Sequence, residues 1–162
     1  MRLINTPWDV ILILACLFAP SFIILPMLGI DIDVMTINAI GCSMFGGYTL
    51  LLPHRIALRY SPNAPHITTA ITKDLLRGWA LFSLALGGAA HLLQMHERIH
   101  PLAYGLYCIL GIASAIWNYH LMCSPHWGGK RFFLVGIALN SGLVIGNGRA
   151  WFQHRNDNWY KY

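Results

Sequence analysis

The sequence predicts an all-α fold, a polytopic helical bundle in a membrane with about five transmembrane helices. The 162 residues are 56% hydrophobic and only 10% charged, and the mean hydropathy of +0.52 is too high for a soluble domain of this length. The charged residues are clustered, so apolar runs of about 20 residues remain, which is the length that crosses a bilayer. Because lipid offers the backbone no hydrogen-bond partners, such runs must be helical.

The first predicted span covers residues 8–30 and the second covers residues 34–52. Only Asp31-Ile32-Asp33 separates them, which predicts a tight antiparallel hairpin. The first run is longer than the core of a signal peptide and has no small-residue cleavage site. We therefore interpret it as a retained span.

A polar segment, residues 53–77, follows the hairpin and combines the turn-rich stretch SPNAPH with an amphipathic helix that leads into the membrane. The remaining spans are predicted at 78–95, 101–123 and 132–151. If the last run lies on the membrane surface instead, the chain has four spans. The length leaves room for a single transmembrane domain over residues 1–162.

Basic residues predict the orientation of the chain. Seven lysines and arginines lie in the N-terminal segment and the loops 53–77 and 124–131, against four on the opposite side. Because cytoplasmic loops are enriched in Lys and Arg, we expect a cytoplasmic N-terminus, in a bacterial inner membrane. The net charge of +5 comes from residues that flank spans, where they contact anionic headgroups. The lipid bilayer is therefore an expected partner and nucleic acid is not.

Polar residues inside the spans predict two clusters, because polar groups in lipid are costly and usually face the bundle interior. At the outer ends of the spans we expect a cluster of Asp33, Asn38, His91, Asn147 and Arg149. At the inner ends we expect a cluster of Asp9, His54, Asn118 and His120. Each cluster is either a functional site or a set of interhelical hydrogen bonds worth about 1 kcal/mol or less each.

Arg149 is the costliest member of the outer cluster. Its position along the last span places it near the outer boundary of the hydrocarbon core. The side chain can extend to the lipid headgroups, or it can turn inward and pair with Asp31 or Asp33.

Eight histidines raise the question of a haem or metal site. His91 lies near the outer end of its span and His120 near the inner end of the next, too far apart to share one iron. His54 and His120 reach a similar inner depth and are the pair that suits haem b. Because His91, His96 and His100 only roughly share a helical face, we expect no metal. We predict no cofactor, with haem b as the alternative.

Small residues recur at four-residue spacing and predict where helix backbones approach closely. They are Ala39, Ser43 and Gly47, then Ser83 and Gly87, then Ala138, Gly142 and Gly146. These residues either pack the helices of one chain together or join copies of the chain into an oligomer.

The stretch IHPLAYGLYCILGIASAIWN resembles the histidine-proline opening of a span in the isoprenylcysteine methyltransferase and NnrU-like membrane family. The matching residues are His100, Pro101, Tyr104 and Gly105. In that family a paired-glutamate motif follows the next hairpin, whereas this chain has no glutamate after Gly105. The resemblance therefore covers this one stretch, and we do not transfer the methyltransferase activity of the family to this chain.

The function that these patterns favour is binding. The six acidic residues are scattered, and the sequence has no nucleophile elbow, phosphate-binding loop or HExxH motif, which argues against an enzyme. We expect an accessory, assembly, immunity or exclusion subunit that forms a homo-oligomer or joins other membrane protein subunits. Two alternatives are a small channel or transporter that uses the polar clusters, and a haem b electron-transfer subunit.

Overall fold

The structure of the chain is a computed structural model that describes residues 7–60, 70–95, 99–124 and 130–155, without the side chains of residues 7–9, 12, 58–60, 70 and 71. The described part is all-helical and contains no strand. Its helices are α1 (Pro7–Met27), α2 (Val34–Leu51), α3 (Pro53–Tyr60), α4 (Ala70–Gln94), α5 (Pro101–Cys123) and α6 (Lys130–His154).

Four helices are long and apolar enough to cross a membrane, which makes the chain an integral membrane protein. They comprise the segments Val34–Leu51, Thr72–Gln94, Pro101–Cys123 and Lys130–His154. The shorter apolar segment is Ile13–Met27 in α1. The last run, which we considered for a surface position, thus has the length and composition of a span.

Helix α1 ends at a glycine-based cap. Gly29 has φ of 77°, a left-handed conformation that costs glycine little because it has no β-carbon. The amide of Ile30 bonds to the carbonyl of Leu25 at 3.0 Å, and the amide of Gly29 bonds to the carbonyl of Pro26 at 3.1 Å. This pair of bonds is the Schellman motif, which satisfies the last carbonyl groups of the helix and turns the chain toward α2.

The polar segment predicted over residues 53–77 contains α3 and the beginning of α4. Helix α3 is amphipathic and packs against α4, with Ile56 and Ala57 buried and His54 and Arg55 exposed. A proline starts α3, and the residue before it leaves the helical conformation, which separates α3 from α2. Helix α4 begins eight residues before the predicted start of the third span, so its amphipathic part and its apolar part are one continuous helix.

The described helices fall into two compact units. The first unit contains α1, α5 and nearly all of α6, and the second contains α2, α3 and α4. The outward faces of both units are apolar, as expected for helices surrounded by lipid, and include the exposed side chains of Leu14, Leu17, Leu81 and Leu92. The single domain over residues 1–162 stays a prediction.

In the first unit, α6 lies parallel to α1 and antiparallel to α5. Gly142 and Gly146 face Phe18 and Phe22 of α1 in the same order along both helices. On its other side α6 meets α5 at three points, which run in opposite directions along the two helices. These points are Gly136 with Asn118, Val144 with Gly111, and Trp151 with Gly105.

In the second unit, α2 and α4 pack antiparallel through small residues. A β-carbon added to Gly46 would lie 2.8 Å from the carbonyl oxygen of Ala80, and Gly87 lies directly against the backbone of Ser43. The two backbones are therefore in contact at two levels, between one and two helical turns apart.

Candidate functional site

The candidate site is a small pocket in the first unit, at the C-terminal end of α1, and its position depends on glycines. A β-carbon added to Gly146 would lie 2.6 Å from the ring of Phe22, and one added to Gly142 would lie 2.5 Å from the ring of Phe18. These rings contact each other edge to face, with centroids 5.0 Å apart. The absence of side chains on α6 thus lets the backbone of α1 approach it closely.

A proline in α1 creates an acceptor beside α6. In an α-helix the carbonyl of Phe22 would accept a hydrogen bond from the amide of residue 26, but Pro26 has no amide hydrogen. Arg149 supplies the missing donor, because its Nη1 atom donates to the Phe22 carbonyl oxygen at 3.2 Å. This partner is neither the headgroup region nor an aspartate, the two that the sequence had suggested for Arg149.

The pocket next to this hydrogen bond has a volume of about 50 Å³. It is lined by Phe22, Pro26, Asp31, Ile32, Gly146, Arg149, Ala150 and Gln153. Arg149 is half-buried, whereas Asp31 and Gln153 are exposed. The residues around this small opening therefore include a cation, an anion and an amide.

The other predicted members of the outer cluster belong to both units. Asn147 is fully buried on α6, and its Nδ2 atom donates to the carbonyl of Leu143 at 2.8 Å. Asp33 is exposed in the loop before α2. In the second unit, Asn38 is buried on α2 and His91 is exposed on α4. The assembly of all these residues into one cluster stays a prediction.

The predicted inner cluster is likewise distributed over both units. Asn118 lies on α5, and its Nδ2 atom donates to the carbonyl of Ser114 at 2.8 Å. His120 is exposed on the same helix, with its ring 6.0 Å from that of Trp117. His54 is exposed on α3, and the side chain of Asp9 lies outside the described residues. The cluster and the haem b pair, His54 with His120, stay hypotheses.

The described part of the chain contains no group of three His, Cys, Asp or Glu side chains placed to hold a metal ion. His96, which we considered with His91 and His100, lies outside the described residues. The Nδ1 atom of His100 accepts the amide hydrogen of Leu102 at 3.2 Å, and His100 thereby caps the beginning of α5. Tyr104, one turn further along, stacks on His154 with ring centroids 5.8 Å apart.

The small residues that we predicted for packing have different surroundings. Ala39 and Ser43 face Gly87, and Gly142 and Gly146 face α1. Ser83 is buried on α4 and Ala138 is half-buried on α6. A β-carbon on Gly47, in contrast, would meet no atom within 4 Å in the described part of the chain.

Sequence reasoning missed two contacts between α2 and α4. Gly46 packs against α4, although the four-residue spacing had pointed to its neighbour Gly47. The side-chain amide of Gln94 donates a hydrogen bond to the hydroxyl of Thr36. Gln94 and Thr36 are polar residues at helix ends, and this is the signal that would have suggested their hydrogen bond.

Comparisons with protein-family models, curated proteins and solved structures found no match to this chain.

Proposed function

We propose that this integral membrane protein works by binding another membrane component, as an accessory, assembly, immunity or exclusion subunit that also self-associates. We also propose that the N-terminus is cytoplasmic and the membrane a bacterial inner membrane. The excess of basic residues in the N-terminal segment and the 53–77 and 124–131 loops supports this orientation.

The observation that carries this proposal is a set of glycines in the second unit that face open space. Gly41, Gly47 and Gly88 lie inside α2 and α4, and an added β-carbon would meet no described atom within 4 Å. The internal packing of the unit uses Gly46 and Gly87 instead. Glycine in a lipid-facing helix contributes little contact with lipid, whereas it allows another helix to approach the backbone closely.

The simplest partner is a second copy of the chain, and the test is its self-association. Energy transfer between labelled copies in liposomes, measured over a range of protein-to-lipid ratios, gives the association constant. We expect Gly88→Leu to weaken association about tenfold, which is about 1.4 kcal/mol, because the larger side chain separates the two backbones. Since the position faces open space, the thermal stability of the monomer should not fall.

Ala113→Leu is the matched control, because Ala113 is also a small, exposed residue but lies on α5. This variant should associate like the unsubstituted chain. An association constant that is the same for all three proteins would contradict a role of the Gly88 face. If the unsubstituted chain stays monomeric at every ratio, self-association is wrong.

A small channel is the second candidate, and one observation favours it. The hydroxyl of Thr49 on α2 is fully buried and has no hydrogen-bond partner in the described part of the chain. Buried polar groups are nearly always hydrogen-bonded, so a passing water molecule or ion is a natural partner for it. Conductance or flux through liposomes that is reduced by Thr49→Val would support the channel, and no flux would reject it.

The haem b alternative has its own measurement. An absorbance spectrum of protein purified from haem-replete cells would show a Soret band if haem is bound, and His120→Ala would abolish it. A spectrum without that band would leave the binding proposal as the simpler account.

A further inference from the structure

The pocket beside Arg149 combines a positive and a negative side chain that do not neutralise each other directly. Arg149 and Asp31 both line it, one from α6 and one from the loop after α1. Among the residues that the structure describes, none forms an ion pair or a hydrogen bond with the carboxylate of Asp31. A carboxylate in this position is available to a cation that enters the pocket.

Arg149 also has hydrogen-bond donors to spare. Its Nη1 atom is held by the carbonyl of Phe22. A guanidinium carries N–H groups on three nitrogen atoms, so the others remain for an anion. Because one N–H is already fixed, the side chain is oriented before a ligand arrives, which lowers the entropic cost of binding. Arginine in such a geometry binds phosphate through paired hydrogen bonds.

The enclosed part of the pocket has room for a small charged group. A volume of about 50 Å³ is enough for a group the size of a phosphate. The rest of a headgroup would lie at the open rim of the pocket. Gln153 at the rim adds an amide that can bond to a phosphate oxygen or to an ammonium.

The surroundings of the pocket identify a lipid as the source of that group. The residues that end α1 and begin the following loop expose large apolar side chains, with Met27 exposed by 81%, Leu28 by 68% and Ile30 by 51%. A soluble ligand would make no contact with this apolar surface, whereas the acyl chains of a phospholipid would cover it. The pocket also lies at the end of an apolar helix, where lipid headgroups are found.

We infer that this pocket binds the headgroup of an amine-bearing phospholipid, with the phosphate on Arg149 and the ammonium on Asp31. An anionic headgroup without an amine would leave the carboxylate of Asp31 without a cation, and a quaternary ammonium could not donate hydrogen bonds to that carboxylate. The pocket therefore selects phosphatidylethanolamine over phosphatidylglycerol and phosphatidylcholine. This inference does not rest on the proposed function, because the pocket belongs to the first unit and the glycines that face open space to the second.

The test is a thermal-unfolding titration of the purified full-length protein in a mild detergent. The added ligands are short-chain phosphatidylethanolamine, phosphatidylglycerol, phosphatidylcholine and free phosphoethanolamine. We expect phosphatidylethanolamine to raise the Tm at a concentration about tenfold lower than the other lipids, since it alone satisfies both charged groups. Free phosphoethanolamine should have no effect at that concentration.

Asp31→Asn is the decisive variant, because it makes the pocket net positive without changing its shape. Its preference should switch from phosphatidylethanolamine to phosphatidylglycerol. Asp74→Asn removes another exposed carboxylate, which pairs with Arg77 at 3.1 Å, and should leave the preference unchanged. Arg149→Gln should abolish the response to every lipid, while Arg155→Gln, one residue beyond the end of α6, should not.

Three outcomes would overturn the inference. They are equal responses to the three lipids, an unchanged preference in Asp31→Asn, and a response to free phosphoethanolamine that equals the response to the lipid. Arg149→Gln also removes the hydrogen bond to α1, so this variant can fail to fold. Asp31 is exposed, so Asp31→Asn keeps its fold and still decides the question.

Discussion

The guanidinium of Arg149 donates a hydrogen bond of 3.2 Å to the carbonyl oxygen of Phe22, the acceptor that Pro26 leaves without a helical donor. The two bonded residues are 127 positions apart and join α1 to α6. A proline inside an apolar helix would otherwise leave a carbonyl group unsatisfied in lipid. Arg149 and Pro26 are therefore complementary, and a substitution of one changes the effect of the other on the free energy of unfolding.

A double-mutant cycle tests this complementarity. Arg149→Met should lower the free energy of unfolding by about 1–3 kcal/mol, because it leaves the carbonyl of Phe22 unpaired. In the Pro26→Ala background the new amide of residue 26 bonds to that carbonyl, so the same substitution should cost about 1 kcal/mol less. Thermal or denaturant unfolding in detergent measures both values. Pro20→Ala is the control, and in its background Arg149→Met should have its full effect.

Adjacent glycines in the second unit should respond in opposite ways to alanine. Gly87→Ala and Gly46→Ala place a β-carbon against the backbone of the facing helix, so each should destabilise the protein by about 1–3 kcal/mol. Gly88→Ala and Gly47→Ala meet open space and should be neutral or stabilising by up to about 1 kcal/mol, because alanine favours helix. Unfolding curves of the four variants make the comparison. The packing of α2 on α4 would be contradicted if Gly46→Ala and Gly47→Ala had similar effects, or if Gly87→Ala and Gly88→Ala did.

Gly142→Leu should disrupt folding of the first unit and not merely association. A side chain at this position overlaps the ring of Phe18, which belongs to the same unit. We expect a loss of about 1–3 kcal/mol in the free energy of unfolding. Phe18→Ala in the same chain should recover part of this loss, because it removes the ring that the leucine would meet. If Gly142→Leu leaves the unfolding curve unchanged, this contact is not part of the folded unit.

The topology can be measured with reporter domains fused after different helices. Fusions after Tyr60 and after Ser124 should report the cytoplasmic side, and a fusion after Met95 should report the opposite side, because each helix between them spans once. Reporter activity and protease protection give the side for each fusion. Agreement between Tyr60 and Met95 would mean that α4 does not cross the membrane.

The span positions were largely predictable because apolar runs and prolines are local signals. The fourth span was predicted at residues 101–123 and α5 covers the same residues, since Pro101 marks its beginning. The amphipathic start of α4 was predicted as well, within the segment 53–77, but the third span was given a start of its own at residue 78. Hydropathy locates the membrane boundary, whereas the helix continues through Lys73 and Arg77 into the polar region. The start of the helix and the boundary of the membrane therefore lie at different residues.

The candidate site was only partly predictable. Arg149 and Asp31 were visible as charges at the ends of apolar runs, but the acceptor for Arg149 is a backbone carbonyl, and no side chain marks it. Finding it requires knowing that α1 is the neighbour of α6. The distinction between Gly46 and Gly47 depends in the same way on helix register, because residues that follow each other differ by about 100° around the helix axis.

The hydrogen bond between Arg149 and Phe22 also constrains the order in which the chain can assemble. During synthesis α1 reaches the membrane before α6, and the residue that completes its hydrogen bonding is made 127 positions after Phe22. In the interval α1 carries an acceptor that lipid cannot satisfy. In a nascent chain that does not yet contain α6, release of α1 from the insertion machinery into the bilayer is therefore unfavourable. Ribosome stalling or truncation before Lys130 should leave α1 retained by the insertion machinery or exposed to membrane proteases.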